Sequence, residues 1–98
     1  MIFSNDGGMI IKVGDTYFTE NGVAQKTRDL FFGPDTIAAE AGNTVFSNAG
    51  TIAVSGNTLF APKGTYTLSG SVLWGPNGKS WSGVESLEDA KMIIVNDL

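Results

Sequence analysis

The sequence predicts an all-β protein made of tandem β-hairpins of about 14 residues. Three observations carry that expectation. Phe18, Phe32, Phe46, Phe60 and Trp74 follow one another at a constant interval of 14 residues, and the residue before each is also apolar (Tyr17, Phe31, Val45, Leu59, Leu73). Two glycine columns run between them. One is Gly8, Gly22, Gly50, Gly64 and Gly78, broken by Thr36; the other is Gly14, Gly42, Gly56 and Gly70, broken by Arg28. Charged residues make up only 16% of the chain. A typical share is about 25%. Gly, Thr, Ser and Asn take up the difference, a profile that suits strands and tight turns better than helices.

The 98 residues fit a single domain, 1–98, with repeats at about 13–26, 27–40, 41–54, 55–68 and 69–82 and a C-terminal cap over 83–98. Residues 1–12 read as a worn half-unit, because Phe3-Ser4-Asn5-Asp6-Gly7 echoes Phe46-Ser47-Asn48-Ala49-Gly50 with a slip of one residue. Unit 27–40 lacks both glycines and is the weakest copy. Each unit has two turns. Ala61-Pro62-Lys63-Gly64 uses proline to set φ early and glycine to end the turn. Ser55-Gly56-Asn57-Thr58 has the signature of a two-residue hairpin turn. Pro34, Pro62 and Pro76 share one column.

The segments between turns are too short for helices and alternate as half-buried strands do. With Leu59 opposite Tyr66, the residues Leu59, Tyr66, Val54 and Leu68 share one face, and Phe60, Thr58, Thr65 and Thr67 the other. That assignment depends on the loop at residues 61–64, since a one-residue slip exchanges the faces. Beyond Gly83 the repeat stops. Ser86 is expected to cap one helical turn, Ser86 to Ala90, followed by a last strand, Met92 to Val95, that pairs with Met9-Ile10-Ile11 or covers an end of the sheet. Gly83, outside both columns, is expected to tolerate substitution better than Gly56 or Gly64. An antiparallel meander or barrel and a β-solenoid both fit the repeat; the turn chemistry favours hairpins.

The composition excludes several chemistries. Net charge is −4, and Lys12, Lys26, Arg28, Lys63, Lys79 and Lys91 are scattered, so no basic patch for nucleic acid is expected. Histidine and cysteine are absent, which removes Ser-His-Asp, Cys-His and His-based metal chemistry. The carboxylates read as solvated turn and cap residues, and replacing Glu88 and Asp89 together is expected to leave activity intact. Asn5-Asp6-Gly7 reads as a turn rather than a calcium loop. No catalytic residue, metal or cofactor is expected. Residues 1–8 show neither the basic nor the apolar region of a signal peptide, and no apolar run is long enough to span a membrane.

The aromatic column has two readings. It is core, or it is an exposed surface that a partner covers, because five rings in a row exceed the apolar patch a monomer usually shows. Phe18, Phe32, Phe46, Phe60 and Trp74 are therefore the interface candidates. Rings set among threonines suit an interface, where aromatics are enriched and charges depleted. Aromatic ladders also stack on sugars.

Residues 11–24, with Gly14, Tyr17, Phe18 and Gly22, resemble one choline- or glucan-binding cell-wall repeat, although the tryptophan that precedes such repeats is missing. The style of the whole chain resembles small β-rich bacteriophage virion proteins of the fibre, adaptor or decoration type. That resemblance implies a homo-oligomer, often a trimer, docked on a larger protein assembly in a virion. The expected function is accordingly a non-catalytic structural or attachment protein. The alternative is a carbohydrate-binding module of the cell surface, with a glycan as its partner.

Overall fold

The structure, a computed structural model, describes residues 1–97. Twelve short strands form one antiparallel meander that closes into a barrel. They are β1 (Ile2–Ser4), β2 (Met9–Val13), β3 (Thr16–Thr19), β4 (Gly22–Thr27), β5 (Leu30–Phe32), β6 (Ile37–Ala41), β7 (Thr44–Ser47), β8 (Gly50–Ser55), β9 (Thr58–Ala61), β10 (Gly64–Ser69), β11 (Val72–Trp74) and β12 (Ser80–Ser82). A 3-10 turn, Pro76–Gly78, precedes β12, and one helix, α1 (Leu87–Asp97), ends the chain. Pairing of β1 with β12 closes the ring. The solenoid alternative is thereby set aside.

The two turn types fall on opposite rims. At one rim, Ser55 pairs with Thr58 across Gly56-Asn57, and Gly56 has φ of +60°. Positive φ at the first central position makes a type II′ turn, whose twist matches that of the strands. At the other rim, Ala61 pairs with Gly64 across Pro62-Lys63. There the glycine and proline columns explain each other. A Cβ on Gly50 would lie 2.3 Å from Pro62, one on Gly64 would lie 2.8 Å from Pro76, and one on Gly22 would lie 3.1 Å from Pro34. Each proline thus seats on the glycine of the preceding hairpin. Where Thr36 interrupts the glycine column, Asn48 stands in place of the proline. Its side chain accepts a hydrogen bond from the Ile37 N–H at 3.2 Å instead.

Leu59 does pair with Tyr66. The faces follow: Leu59 and Tyr66 are fully buried, whereas Phe60 is 49% exposed. Inward residues recur every seven positions, from Tyr17 through Ala24, Phe31, Ala38, Val45, Ile52, Leu59 and Tyr66 to Leu73, and all are buried. At β4 the partner of Tyr17 is Ala24 and that of Phe31 is Lys26, so the register advances by two residues there. The same advance recurs at β6, β8 and β10. Such a stagger is what tilts strands and lets a sheet close.

The C-terminus departs from expectation. The segment expected to be a final strand, Met92 to Val95, lies inside α1, and every residue from Asp89 to Val95 is buried. The reason is geometric. A barrel of about eight strands can be filled by side chains alone, and a twelve-stranded one is wider. The closed ring offers no edge for another strand, so a strand in the lumen would carry unpaired N–H and C=O groups. A helix satisfies its own backbone and presents side chains all round. Its Ser86 cap is real: Ser86 Oγ accepts the Asp89 N–H at 3.3 Å. Gly83 also corrects expectation. It has φ of +82°, and a Cβ there would come within 2.3 Å of the Met1 carbonyl oxygen, so it is as demanding as the column glycines.

Arg28 occupies the II′ glycine position with φ of +54°. Replacing it with glycine should raise stability by up to about 1 kcal/mol, measured by urea unfolding. No change, or a loss, would mean that local contacts of Arg28 outweigh the strain.

Candidate interaction surface and the plug behind it

The five column residues stand on β3, β5, β7, β9 and β11, every second strand, and all point outward. Their exposure runs from 39% at Phe32 to 55% at Trp74. Phe3 on β1 adds a sixth ring, 49% exposed, between the inward-facing Ile2 and Ser4. The echo of Phe46-Ser47-Asn48 in Phe3-Ser4-Asn5 carried that signal. The stagger places successive rings two strands across and two residues along from each other. That amounts to roughly 9.6 Å by 6.6 Å, so neighbouring rings stand roughly 12 Å apart at the wall.

What lies between the rings differs around the barrel. Met9 and Ile11 on β2, Val23 on β4 and Ile37 on β6 are exposed and fill their gaps. On β8 the gap between Phe46 and Phe60 is floored by Thr51 and Ala53, which pair with those rings. On β10 the gap between Phe60 and Trp74 is floored by Thr65 and Thr67. The wall is also free of outward charge. The only charged residues within the strands are Lys12, Lys26 and Glu40, and all three take inward positions: Lys12 pairs with Tyr17, Lys26 with Phe31 and Glu40 with Val45. Strands of three to six residues are shorter than the nine to eleven, roughly, that a membrane-spanning barrel strand needs. No helix among the described residues is long and apolar enough to cross a membrane.

The inward charges hold the helix. Lys12 Nζ lies 2.9 Å from Asp89 Oδ1, Lys26 Nζ 2.5 Å from Glu88 Oε2, and Lys91 Nζ 2.9 Å from Glu40 Oε1 and 3.5 Å from Glu88 Oε1. Tyr17 Oη donates to Asp89 Oδ1 at 2.7 Å. At the other rim, Asp97 accepts from Tyr66 Oη at 2.9 Å and Lys79 Nζ at 2.8 Å, and Lys63 Nζ donates to its carbonyl. The ammonium groups of these lysines also stand over rings, Lys12 Nζ over Tyr17, Lys26 Nζ over Phe31 and Lys79 Nζ over Trp81, at 5.2 to 5.5 Å from the ring centroids. Both helix ends are therefore pinned to the wall.

These contacts correct the reading of Glu88 and Asp89 as solvated cap residues. Asp89 is 1% exposed. Burial pushes its carboxyl up, but hydrogen bonds from Tyr17, Lys12 and the Glu85 N–H outweigh that and hold it below the usual carboxylate value. Glu88 behaves likewise, raised by burial and lowered further by Lys26 and Lys91. The double replacement, expected from sequence to leave activity intact, would remove the contacts of the helix to Lys12, Tyr17 and Lys26. Asp6, by contrast, sits in a turn as expected, accepting from the Gly8 N–H at 3.2 Å. Among the described residues no cluster of three or more carboxylates stands close enough to hold a metal ion. A cleft of about 120 Å³ opens at the rim beside Trp81, Asn96 and Glu20.

Comparison with models of protein families, with curated proteins and with solved structures found no match.

A carboxylate depressed in the folded state stabilises above its unfolded pKa and loses that contribution as pH falls through the folded value. Asp89 and Glu88, with ordinary values of 3.8 and 4.5, should therefore keep the melting temperature level down to about pH 5 and lower it progressively below about pH 4. Asp89→Asn should melt lower at pH 7 and show a shallower acid limb. An unchanged acid limb in that variant would assign the acid sensitivity to other carboxylates.

Proposed function

We infer that the protein is a non-catalytic structural or attachment component, working through its aromatic belt by associating with copies of itself and docking on a larger protein assembly. One observation carries this reading. The rings stand outside a barrel whose interior is already filled by α1, so the fold does not need them. A row of six half-exposed rings on a wall without outward charge matches the composition of an interface centre. Exposed apolar patches of this kind mark interaction sites more often than singly scattered apolar residues do. The resemblance in style to small bacteriophage virion proteins supplies the setting, a virion and an oligomer.

A second reading, a carbohydrate-binding module, is favoured by one feature. Trp74 is flanked in register by Thr67 and Ser80, a ring edged by hydroxyls. Binding of glycans by a stable monomer would select it.

The test compares neighbours on one strand. Leu59→Ser removes a fully buried side chain and should cost about 3 kcal/mol or more, enough to abolish folding at 37 °C in a small domain. Phe60→Ser should cost about 1 kcal/mol or less in thermal melting, since it changes only an outward position. It should weaken association or docking in sedimentation. Should Phe60→Ser melt the chain as severely as Leu59→Ser and leave association untouched, the belt is structural and the reading fails.

A further inference from the structure

We propose that the face from β7 to β11 binds the same face of a second copy of this chain, with the rings of each seated in the open gaps of the other. This rests on the belt being an interface and names its partner. Three observations select a copy of the chain and this face.

The first is shape. Phe46, Phe60 and Trp74 are ribs, and the gaps on β8 and β10 have only Thr51, Ala53, Thr65 and Thr67 on their floors. All four floor residues are exposed. With ribs roughly 12 Å apart, a ring placed midway would lie roughly 6 Å from each, within the 4.5–7 Å at which aromatic pairs attract. A surface that alternates rib and gap at a constant interval is complementary to itself after a shift of half that interval. A two-fold axis then gives the order Phe46, Phe60 of the second copy, Phe60, Phe46 of the second copy. Both Phe60 rings seat between the partner's Thr51 and Ala53, which is the self-matching contact that a closed dimer requires.

The second observation is charge. Two copies of −4 repel as wholes. The charges, however, are confined to the rims and the lumen, so this face brings no like charges into contact. A partner chosen by electrostatic complementarity would find nothing here to pair with.

The third is asymmetry. On β2, β4 and β6 the gaps are occupied by Met9, Ile11, Val23 and Ile37, so an incoming ring is excluded there. The open arc runs from β7 round to β12, where Ser80 and Ser82 floor the gap between Trp74 and Phe3, and β7–β11 is the part of it that places Phe60 between two open gaps.

The experiment fills a gap instead of removing a rib. Wild type, Ala53→Trp, Phe60→Ser and Val23→Ser are compared by sedimentation velocity, with melting curves to confirm folding; Thr51→Arg replaces Ala53→Trp if the latter melts early. Wild type should dimerise at about 100 μM, a concentration that fills a contact of micromolar Kd. Ala53→Trp and Phe60→Ser should each raise the dimer Kd by at least about tenfold, as loss of a central aromatic anchor does. Val23→Ser should leave it unchanged. A wild type that stays monomeric overturns the proposal, while docking of the belt on another protein would survive. Loss of association in Phe60→Ser with full retention in Ala53→Trp and Thr51→Arg also overturns it: the belt would then bind, but not by interleaved rings. An effect of Val23→Ser equal to that of Ala53→Trp overturns the choice of face.

Discussion

Filling the lumen is the constraint from which the other features follow. Twelve strands closed in a ring leave a space that wall side chains cannot fill. Water there would forfeit the apolar burial that stabilises so short a chain. The filler must bring apolar side chains in all directions and no unpaired backbone groups. A helix of 11 residues, roughly 16 Å long, meets both requirements and matches the depth of strands of four to six residues. Met92, Ile93, Ile94 and Val95, consecutive and buried, would make a poor surface helix because they cover every side. As a plug they meet Tyr17, Phe31, Ile52, Leu59 and Leu73 in one apolar cluster.

The plug in turn explains the polarity of the wall. A helix inside a closed ring could slide or rotate among apolar neighbours, since dispersion is not directional. Lys12, Lys26 and Glu40 near one mouth, and Lys63, Lys79 and Tyr66 near the other, fix its height and orientation. Lys91 is 8% exposed, and its desolvation is offset by two carboxylates, Glu40 and Glu88. With the strand charges turned inward for that task, the outer wall is left to uncharged side chains: rings, aliphatics, alanine, hydroxyls and the amide of Gln25. The belt and the anchors are thus two consequences of one alternation along the strands.

The rims show the same economy of parts. A glycine on one hairpin and a proline on the next form one contact at Gly22–Pro34, Gly50–Pro62 and Gly64–Pro76, and where Thr36 replaces the glycine Asn48 replaces the proline. The pairings advance by two residues at β4, β6, β8 and β10, and that accumulated stagger accompanies closure of the ring through β1 and β12.

The sequence by itself determined the hairpins. Aromatic, glycine and proline columns, turn residues and strand alternation are local patterns, and each specifies φ, ψ and facing through nearest neighbours. The Leu59–Tyr66 register, the Ser86 cap and the 14-residue recurrence of the five rings were legible for that reason, while the choice between core and surface for those rings stayed open. The period of seven in the inward residues was also there, hidden because Tyr17, Ala24, Phe31 and Ala38 differ in size, although all are buried. Tertiary structure alone decided the rest. Whether a meander closes depends on accumulated stagger, which no single hairpin contains. Whether Met92 to Val95 becomes strand or helix depends on that closure, because β-branched residues favour a strand only where an edge exists to pair with. The side-chain partners of Asp89, Lys12 and Tyr17, lie more than 70 residues away, so no local pattern could show that this carboxylate is buried.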